Sequence, residues 1–377
     1  MSDTLPHDLA EKAAAMLAFR QARDSGLPVP PQVRARHVWA TNDGYSTGPD
    51  PGERIPEFAL PDQWGALRTL NDLAGPNGLF LVFHRSAHWC QYCRSQLVEL
   101  EQSRTMLERN GVQIAAISFD SQEILAAFAQ EYSIGYPQLS DKGSVVIRKF
   151  GIFNYNVAPD MKRNYGIPHP VEYLVAPDGT VVKKYFVPNY QHRVAGSAVA
   201  LREFGTVASD APVVTLESGA VAVQIGFPSP RVFAAQEVSF FANFALEPGW
   251  HVYGTQGGTQ AGTPLPEAYT ATSIVFEDPR VIRCQLELPA PEMLEIPALN
   301  ETLPVYSGSF RAIGTLLLKY PLPEGRLVLR GHLAFQQCSE TVCEAPHSMS
   351  FELALQVEPF VISDRERLLL EQQKRSA

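Results

Sequence analysis

Leu79-Phe-Leu-Val-Phe-His-Arg-Ser-Ala-His-Trp-Cys90-Gln-Tyr-Cys93 is the stretch that decides the fold of this chain. Its first five residues, Leu79 to Phe83, form a short unbroken apolar run, the mark of a strand buried on both faces. Behind them, Cys93, Leu97, Leu100 and Leu107 recur at helical spacing. Two cysteines therefore open a helix directly after a buried strand. A helix N-terminus offers unpaired N–H groups and the positive end of a dipole, both of which favour a thiolate at Cys90. Cys93, within the first turn and on the apolar face, is the more buried partner. This predicts an exposed Cys90 that attacks and a shielded Cys93 that resolves the mixed disulfide. Two plainer readings compete: a zinc site completed by His84 and His88, and a pair of inert core cysteines. Zinc ribbons usually carry CxxC on a turn, whereas His84 falls within the strand, so the context favours redox work with no metal and no cofactor.

Outward from this segment, residues 57 to 204 alternate between strands and helices. Val112–Ser118 reads as a second buried strand, and Ile124, Leu125, Phe128 and Tyr132 line one face of a second helix. Val171–Val175 and Val181–Phe186 flank Ala176-Pro177-Asp178-Gly179, a strong turn signal, and form an antiparallel hairpin. The order predicts an α/β sandwich with a mixed sheet. Before it, His7–Asp24 reads as a helix and Leu27–Pro56 as a proline-rich connector, so residues 1–56 precede the first domain. After a linker at 205–212, helical periodicity fades. Val238, Phe240, Ala242 and Phe244 share a face, as do Leu327, Leu329, Leu333 and Phe335, and then Met349, Phe351, Leu353 and Leu355. Residues 213–358 therefore read as an all-β sandwich. Within 359–377, Arg365–Lys374 reads as a short charged helix.

The chain has 377 residues and a net charge of -9, and no basic stripe stands out. That disfavours nucleic acid as a partner, since binding it needs clustered Lys and Arg. No run of about 18 apolar residues exists to span a membrane. The 7–24 stretch mixes Glu11, Lys12, Arg20 and Arg23 into its apolar residues, unlike a secretory signal. The expected compartment is the cytoplasm, unless a misplaced start hides an export signal. Five cysteines, as two close pairs and the singleton Cys284, are not the dense pattern of a stapled secreted fold. Cys284 is expected to be a buried structural residue.

Over residues 57–204 the sequence resembles the thioredoxin superfamily. The resemblance rests on the CxxC pair, on Trp89 before it, and on Ile167-Pro168-His169-Pro170 before the hairpin strand. It implies a cis-proline beside the cysteines, Pro170 rather than Pro168, leaving a backbone edge free for a substrate peptide. It also implies a buried proton acceptor at position 84, a place that thioredoxins usually give to an acid. His84 can serve as that base or simply be a satisfied core histidine. His88 and Arg85 are expected to face solvent.

The domain is also similar to peroxiredoxins and alkyl hydroperoxide reductases through Glu53-Arg54-Ile55-Pro56-Glu57-Phe58 and the Ala176–Gly179 turn. Peroxiredoxins place a hydroxyl residue three positions before the attacking cysteine and a proline four before that. Here those positions hold Ala87 and Phe83, with Ser86 as a partial substitute. Disulfide exchange therefore ranks ahead of a thiol-dependent peroxidase, and a redox-silent binding module is the third reading.

A second pair, Cys338 and Cys343, joins two alternating strands in Leu333–Pro346. It is either a structural clasp or a second redox centre. With Gly249-Trp-His-Val-Tyr253 and Val305-Tyr-Ser-Gly308, this region resembles the N-terminal, immunoglobulin-like domain of the thiol–disulfide interchange protein DsbD. The resemblance implies that Cys338 and Cys343 exchange electrons with a thiol protein partner or a small thiol, with Pro291–Leu299 as the shielding loop. Fusion of the two centres suggests a relay between domains, since tethering raises their effective concentration to about the millimolar range.

Overall fold

The computed structural model describes residues 47–157, 161, 163–186, 191–233, 236–254, 265–296, 301–319 and 322–362, with scattered positions between 11 and 33. The described positions between Glu11 and Ala22 are helical. The expected helix at Arg365–Lys374 lies outside the described residues.

The chain divides into two compact units, residues 1–194 with 360–377, and residues 195–359. In the first, β1 (Gly78–Phe83), β2 (Val112–Ser118), β3 (Gln138–Ser140), β4 (Val171–Val175) and β5 (Val181–Tyr185) form one sheet in the order β3-β2-β1-β4-β5. The β1–β2 and β2–β3 pairs are parallel, and β4 and β5 are antiparallel additions, which is the mixed sheet expected. Helix α1 (Gln91–Glu108) follows β1, and α2 (Gln122–Tyr132) follows β2. All six residues of β1 are buried, as its unbroken apolar run requires. One core gathers Leu81, Phe83, Phe150 and Tyr173, with the Phe83 and Phe150 rings 4.7 Å apart. Pleat alternation places Val171, Tyr173 and Val175 in that core and turns Glu172, opposite Val82, to the other face.

The second unit opens with α3 (Gly196–Phe204), which the sequence assigned to the first domain. Its Arg202 donates to Ser239 and Thr315 of the sandwich, and these bonds group it there. The strands are β6 (Val213–Ser218), β7 (Val221–Gly226), β8 (Arg231–Phe233), β9 (Gln236–Leu246), β10 (His251–Tyr253), β11 (Ser273–Phe276) and β12 (Val281–Glu287). They continue as β13 (Glu292–Ile296), β14 (Glu301–Ser307), β15 (Ser309–Leu318), β16 (Gly325–Phe335), β17 (Gln337–Cys338) and β18 (His347–Glu358). One sheet runs β12-β15-β9-β7-β6, and a second runs β8-β18-β16-β11. Phe240 of the first meets Phe276 of the second with ring centroids 5.3 Å apart, and Phe276 in turn meets Phe351 at 5.4 Å. The result is a β-sandwich. Gly314 lies opposite Phe240 in the β9–β15 ladder, and a Cβ on Gly314 would come within 2.0 Å of the Phe240 ring. A third sheet, β13-β14-β10-β17, carries the second cysteine pair.

Candidate active site

Cys90 is the N-cap of α1, in extended backbone geometry, and its Sγ accepts the Cys93 N–H at 3.4 Å. Both cysteines are free and enclosed: Cys90 is 3% exposed and Cys93 not at all. The sequence led one to expect an open, readily ionised Cys90. Instead its sulfur turns inward onto the helix N-terminus, and burial, reinforced by the Cys93 hydrogen bond, pushes the Cys90 thiol well up. Burial also acts upward on Cys93, but the Cys90 hydrogen bond and the Arg193 charge together pull that thiol well down. Arg193 thus favours negative charge on the inner sulfur.

Arg193 supplies part of that pull, after the Cys90 hydrogen bond. Its Nη2 donates to Cys93 Sγ at 3.4 Å from a position that is 2% exposed. A hundred residues separate the two, and no local pattern pointed to it. Behind it lies Glu172 of β4, also buried, whose Oε1 accepts from Gln96 Nε2 at 2.7 Å. The same Gln96 nitrogen reaches Val194 O at 3.1 Å. Burial raises the Glu172 carboxyl to about 7, against the opposing pull of Gln96 and Arg193. One signal for this group was present in the sequence: a carboxylate in the middle of an otherwise apolar strand, Val-Glu-Tyr-Leu-Val.

His84 follows the end of β1, donates its backbone N–H to Ile117 O at 3.1 Å, and is wholly buried. Among the described residues neither ring nitrogen has a hydrogen-bond partner; the ring helps hold the Cys93 thiol down, while burial raises the Asp120 carboxyl against the pull of His84. The loop between His84 and Cys90 is fixed by Asp120. Its carboxylate accepts from Ser86 Oγ at 2.8 Å, Ala87 N at 2.7 Å and Ser118 Oγ at 3.0 Å. Ser86 Oγ in turn accepts the His88 N–H at 3.0 Å. Trp89 is half-buried under two guanidinium groups, Arg85 at 5.0 Å and Arg163 at 5.9 Å from the ring centroid. His88 faces solvent as expected, while Arg85 is half-buried. Pro170 stands directly before β4, whose Val171 pairs with Phe83, and Pro168 bridges Phe153.

Arg94, next to Cys93, gathers three parts of the first unit. Its Nη1 donates to Ala87 O at 2.7 Å, Nη2 to Tyr132 Oη at 3.1 Å, and Nε to Val361 O at 3.1 Å. Val361 N donates to Ser95 Oγ at 3.0 Å, and the Phe360 ring meets Tyr92 edge-on at 5.5 Å. Residues beyond the sandwich thus return to the cysteine helix.

In the second unit Cys338 and Cys343 form a disulfide with Cα atoms 4.2 Å apart. Cys338 is buried and Cys343 exposed. The two motifs noted in the sequence converge here: His251 pairs with Cys338 on one side and Ser307 on the other. Tyr253 Oη lies 3.1 Å from Cys338 Sγ and 3.7 Å from Cys343 Sγ. Most of the expected shielding loop, Pro291–Leu299, is instead strand β13 paired with β14, because Glu292–Ile296 finds its ladder partners there. Residues 297–299 lie outside the described set. Cys284 is half-buried on β12, donates to Ile274 O at 3.5 Å, and is pushed up to about 11 by burial. Among the described residues, no three His, Cys, Asp or Glu side chains cluster as metal ligands would. No helix among them is long and apolar enough to cross a membrane.

A CxxC pair capping the first long helix of this mixed sheet defines a redoxin-type thiol oxidoreductase, here joined to a β-sandwich bearing its own disulfide. Comparison with known proteins agrees. Residues 51–184 match the AhpC/TSA family, and residues 217–355 match the N-terminal region of the thiol:disulfide interchange protein DsbD. The chain thus carries an AhpC/TSA redoxin domain followed by a DsbD N-terminal domain. Thiol-disulfide oxidoreductase ResA of Bacillus thuringiensis subsp. konkukian is 27% identical over 134 residues, 35% of this chain and 68% of the relative. Peroxiredoxin Bcp of Escherichia coli K12 is 29% identical over 130 residues, 34% of this chain and 81% of the relative. Among solved structures, peroxidoxin BcpB of Mycobacterium tuberculosis is similar with a TM-score of 0.35 and 22% identity, covering 41% of this chain and 97% of that one.

Proposed function

We propose that the chain is a thiol–disulfide oxidoreductase whose first centre is Cys90–Cys93 and whose second is Cys338–Cys343. Cys90 attacks a partner disulfide, and Cys93 then displaces the partner by closing the Cys90–Cys93 bond. The dithiol loses two electrons and the partner leaves reduced. The observation that carries this reading is the shared geometry of the pair, with Cys90 Sγ on the Cys93 N–H and Arg193 on Cys93 Sγ. In the sandwich, the exposed Cys343 is the sulfur a partner thiol reaches, and the buried Cys338 leaves onto Tyr253. Thiol or disulfide proteins and small thiols are the proposed partners, with electrons relayed between the two centres. The proposed compartment is the cytoplasm, supported by two close cysteine pairs in place of a dense staple pattern.

Peroxide reduction is the weaker reading despite the AhpC/TSA match. Ala87 has no hydroxyl, and the Ser86 hydroxyl is fully buried with its proton given to Asp120. No side chain of this loop replaces the hydroxyl that steadies a peroxide.

The test is thiol trapping in cell lysate with Cys93→Ala. The variant should accumulate mixed disulfides at Cys90, and mass spectrometry then names the partners. A Cys90 that captures nothing while consuming peroxide faster than a free thiol would reverse the order of the two readings.

A further inference from the structure

The cysteine pair must lose a proton inside an enclosed site, with Cys90 3% exposed and Cys93 not at all. Four side chains on this side of the pair are at most 3% exposed: Arg193, which donates to the inner sulfur, His84, and the hydrogen-bonded Gln96 and Glu172. A buried guanidinium needs one counter-charge. The Glu172 carboxylate and the Cys93 thiolate can each supply it. Moving a proton from Cys93 to Glu172 exchanges one for the other and leaves the buried charge unchanged, so ionisation there carries no added desolvation cost. Gln96 fits both states. Its Nε2 donates to Glu172 Oε1, while its own Oε1 is a buried acceptor with no partner among the described residues. A protonated Glu172 supplies the donor that this oxygen lacks.

We infer that Glu172 is the proton acceptor for Cys93 and that Arg193 holds the resulting thiolate, with Gln96 positioning Glu172 in both charge states. This deepens the oxidoreductase reading and rests on it. In the mixed disulfide, Cys93 begins as a thiol. Its proton passes to Glu172, and its sulfur attacks Cys90 Sγ. The Cys90–Cys93 bond forms, the bond from Cys90 to the partner breaks, and the electron pair leaves with the partner's sulfur. Glu172 then returns the proton through water to that departing thiolate. The raised Glu172 carboxyl agrees with this part. The other charged groups around the pair are Arg85, facing Cys90, and Asp120, facing His84. His84 is the rival base, since it too faces Cys93.

Stopped-flow reaction of the reduced protein with 5,5′-dithiobis(2-nitrobenzoate), in a Cys284→Ala background, separates the steps. The first release of thionitrobenzoate reports attack by Cys90, and the second reports resolution by Cys93. Glu172→Gln should slow the second phase at pH 7 by about tenfold and move its pH midpoint by about one unit. Arg193→Met should slow it comparably, Arg193→Lys should recover part of the loss, and in Glu172→Gln the first phase should change less than about threefold. Folding is checked by circular dichroism; if Glu172→Gln does not fold, Gln96→Met takes its place with the same expected direction. A second phase that is unchanged from pH 5 to 9 in folded variants, or that shifts only with His84→Gln, overturns the assignment. Release without any second phase in the parent protein would instead overturn the oxidoreductase reading itself.

Discussion

Glu172 is held in a place that favours its neutral form, and this has a thermodynamic consequence apart from catalysis. Its folded-state carboxyl is raised from 4.5 to about 7, so the folded chain binds this proton more tightly than the unfolded chain. The contribution to stability is therefore complete below pH 4.5 and is lost as pH rises through about 7. Glu172→Gln should flatten that limb, leaving the variant relatively more stable at pH 8 than at pH 5 when urea midpoints are compared with the parent. Unchanged pH dependence would mean the carboxyl is not enclosed as described. Ser86 is a second residue whose role is decided by its partners. Because its hydroxyl serves Asp120 and His88, Ser86→Ala should leave peroxide consumption no slower while loosening the loop. A drop in peroxide turnover would restore the peroxidase reading.

The elements nearest the cysteines were legible because local rules and tertiary structure agree there. Leu79–Phe83 is buried on both faces, and Cys93, Leu97, Leu100 and Leu107 all point into the core at helical spacing. The turn at Ala176–Gly179 was readable for the same reason. Arg193 and Gln96 were not, since a buried polar group is recognised by its partner, and these partners lie up to a hundred residues away. Strand β9 shows a similar limit. Val238, Phe240, Ala242 and Phe244 alternate as expected, yet Phe241 is also buried, at 2% exposure, so periodicity revealed one covered face of two. The β9–β15 ladder makes its own prediction. Gly314→Ala would drive a methyl into the Phe240 ring and should cost about 1–3 kcal/mol by chemical denaturation, with redox activity of the first unit retained. A neutral result would show that the ring can swing aside.

At the scale of the whole molecule, one expected experiment concerns the relay. With Cys93→Ala, Cys284→Ala and Cys338→Ala combined, the remaining sulfurs are Cys90 and Cys343, and mild oxidation should join them within one chain. Peptide mapping that finds only links between chains would remove the relay while leaving each centre intact. Stability depends on chain order as well. Removing residues 360–377 takes away the carbonyls held by Arg94 and the ring against Tyr92. The loss of hydrogen bonds to a charged donor should destabilise the first unit by about 2 kcal/mol, measurable as a lowered urea midpoint. The return of Phe360–Ile362 makes the sandwich an insertion in the redoxin unit rather than a bead threaded after it. Dissection at the 205–212 stretch would not yield a freestanding redoxin, but a fragment missing its own last piece. A proteolytic nick in that stretch should leave two polypeptides that migrate together until denatured.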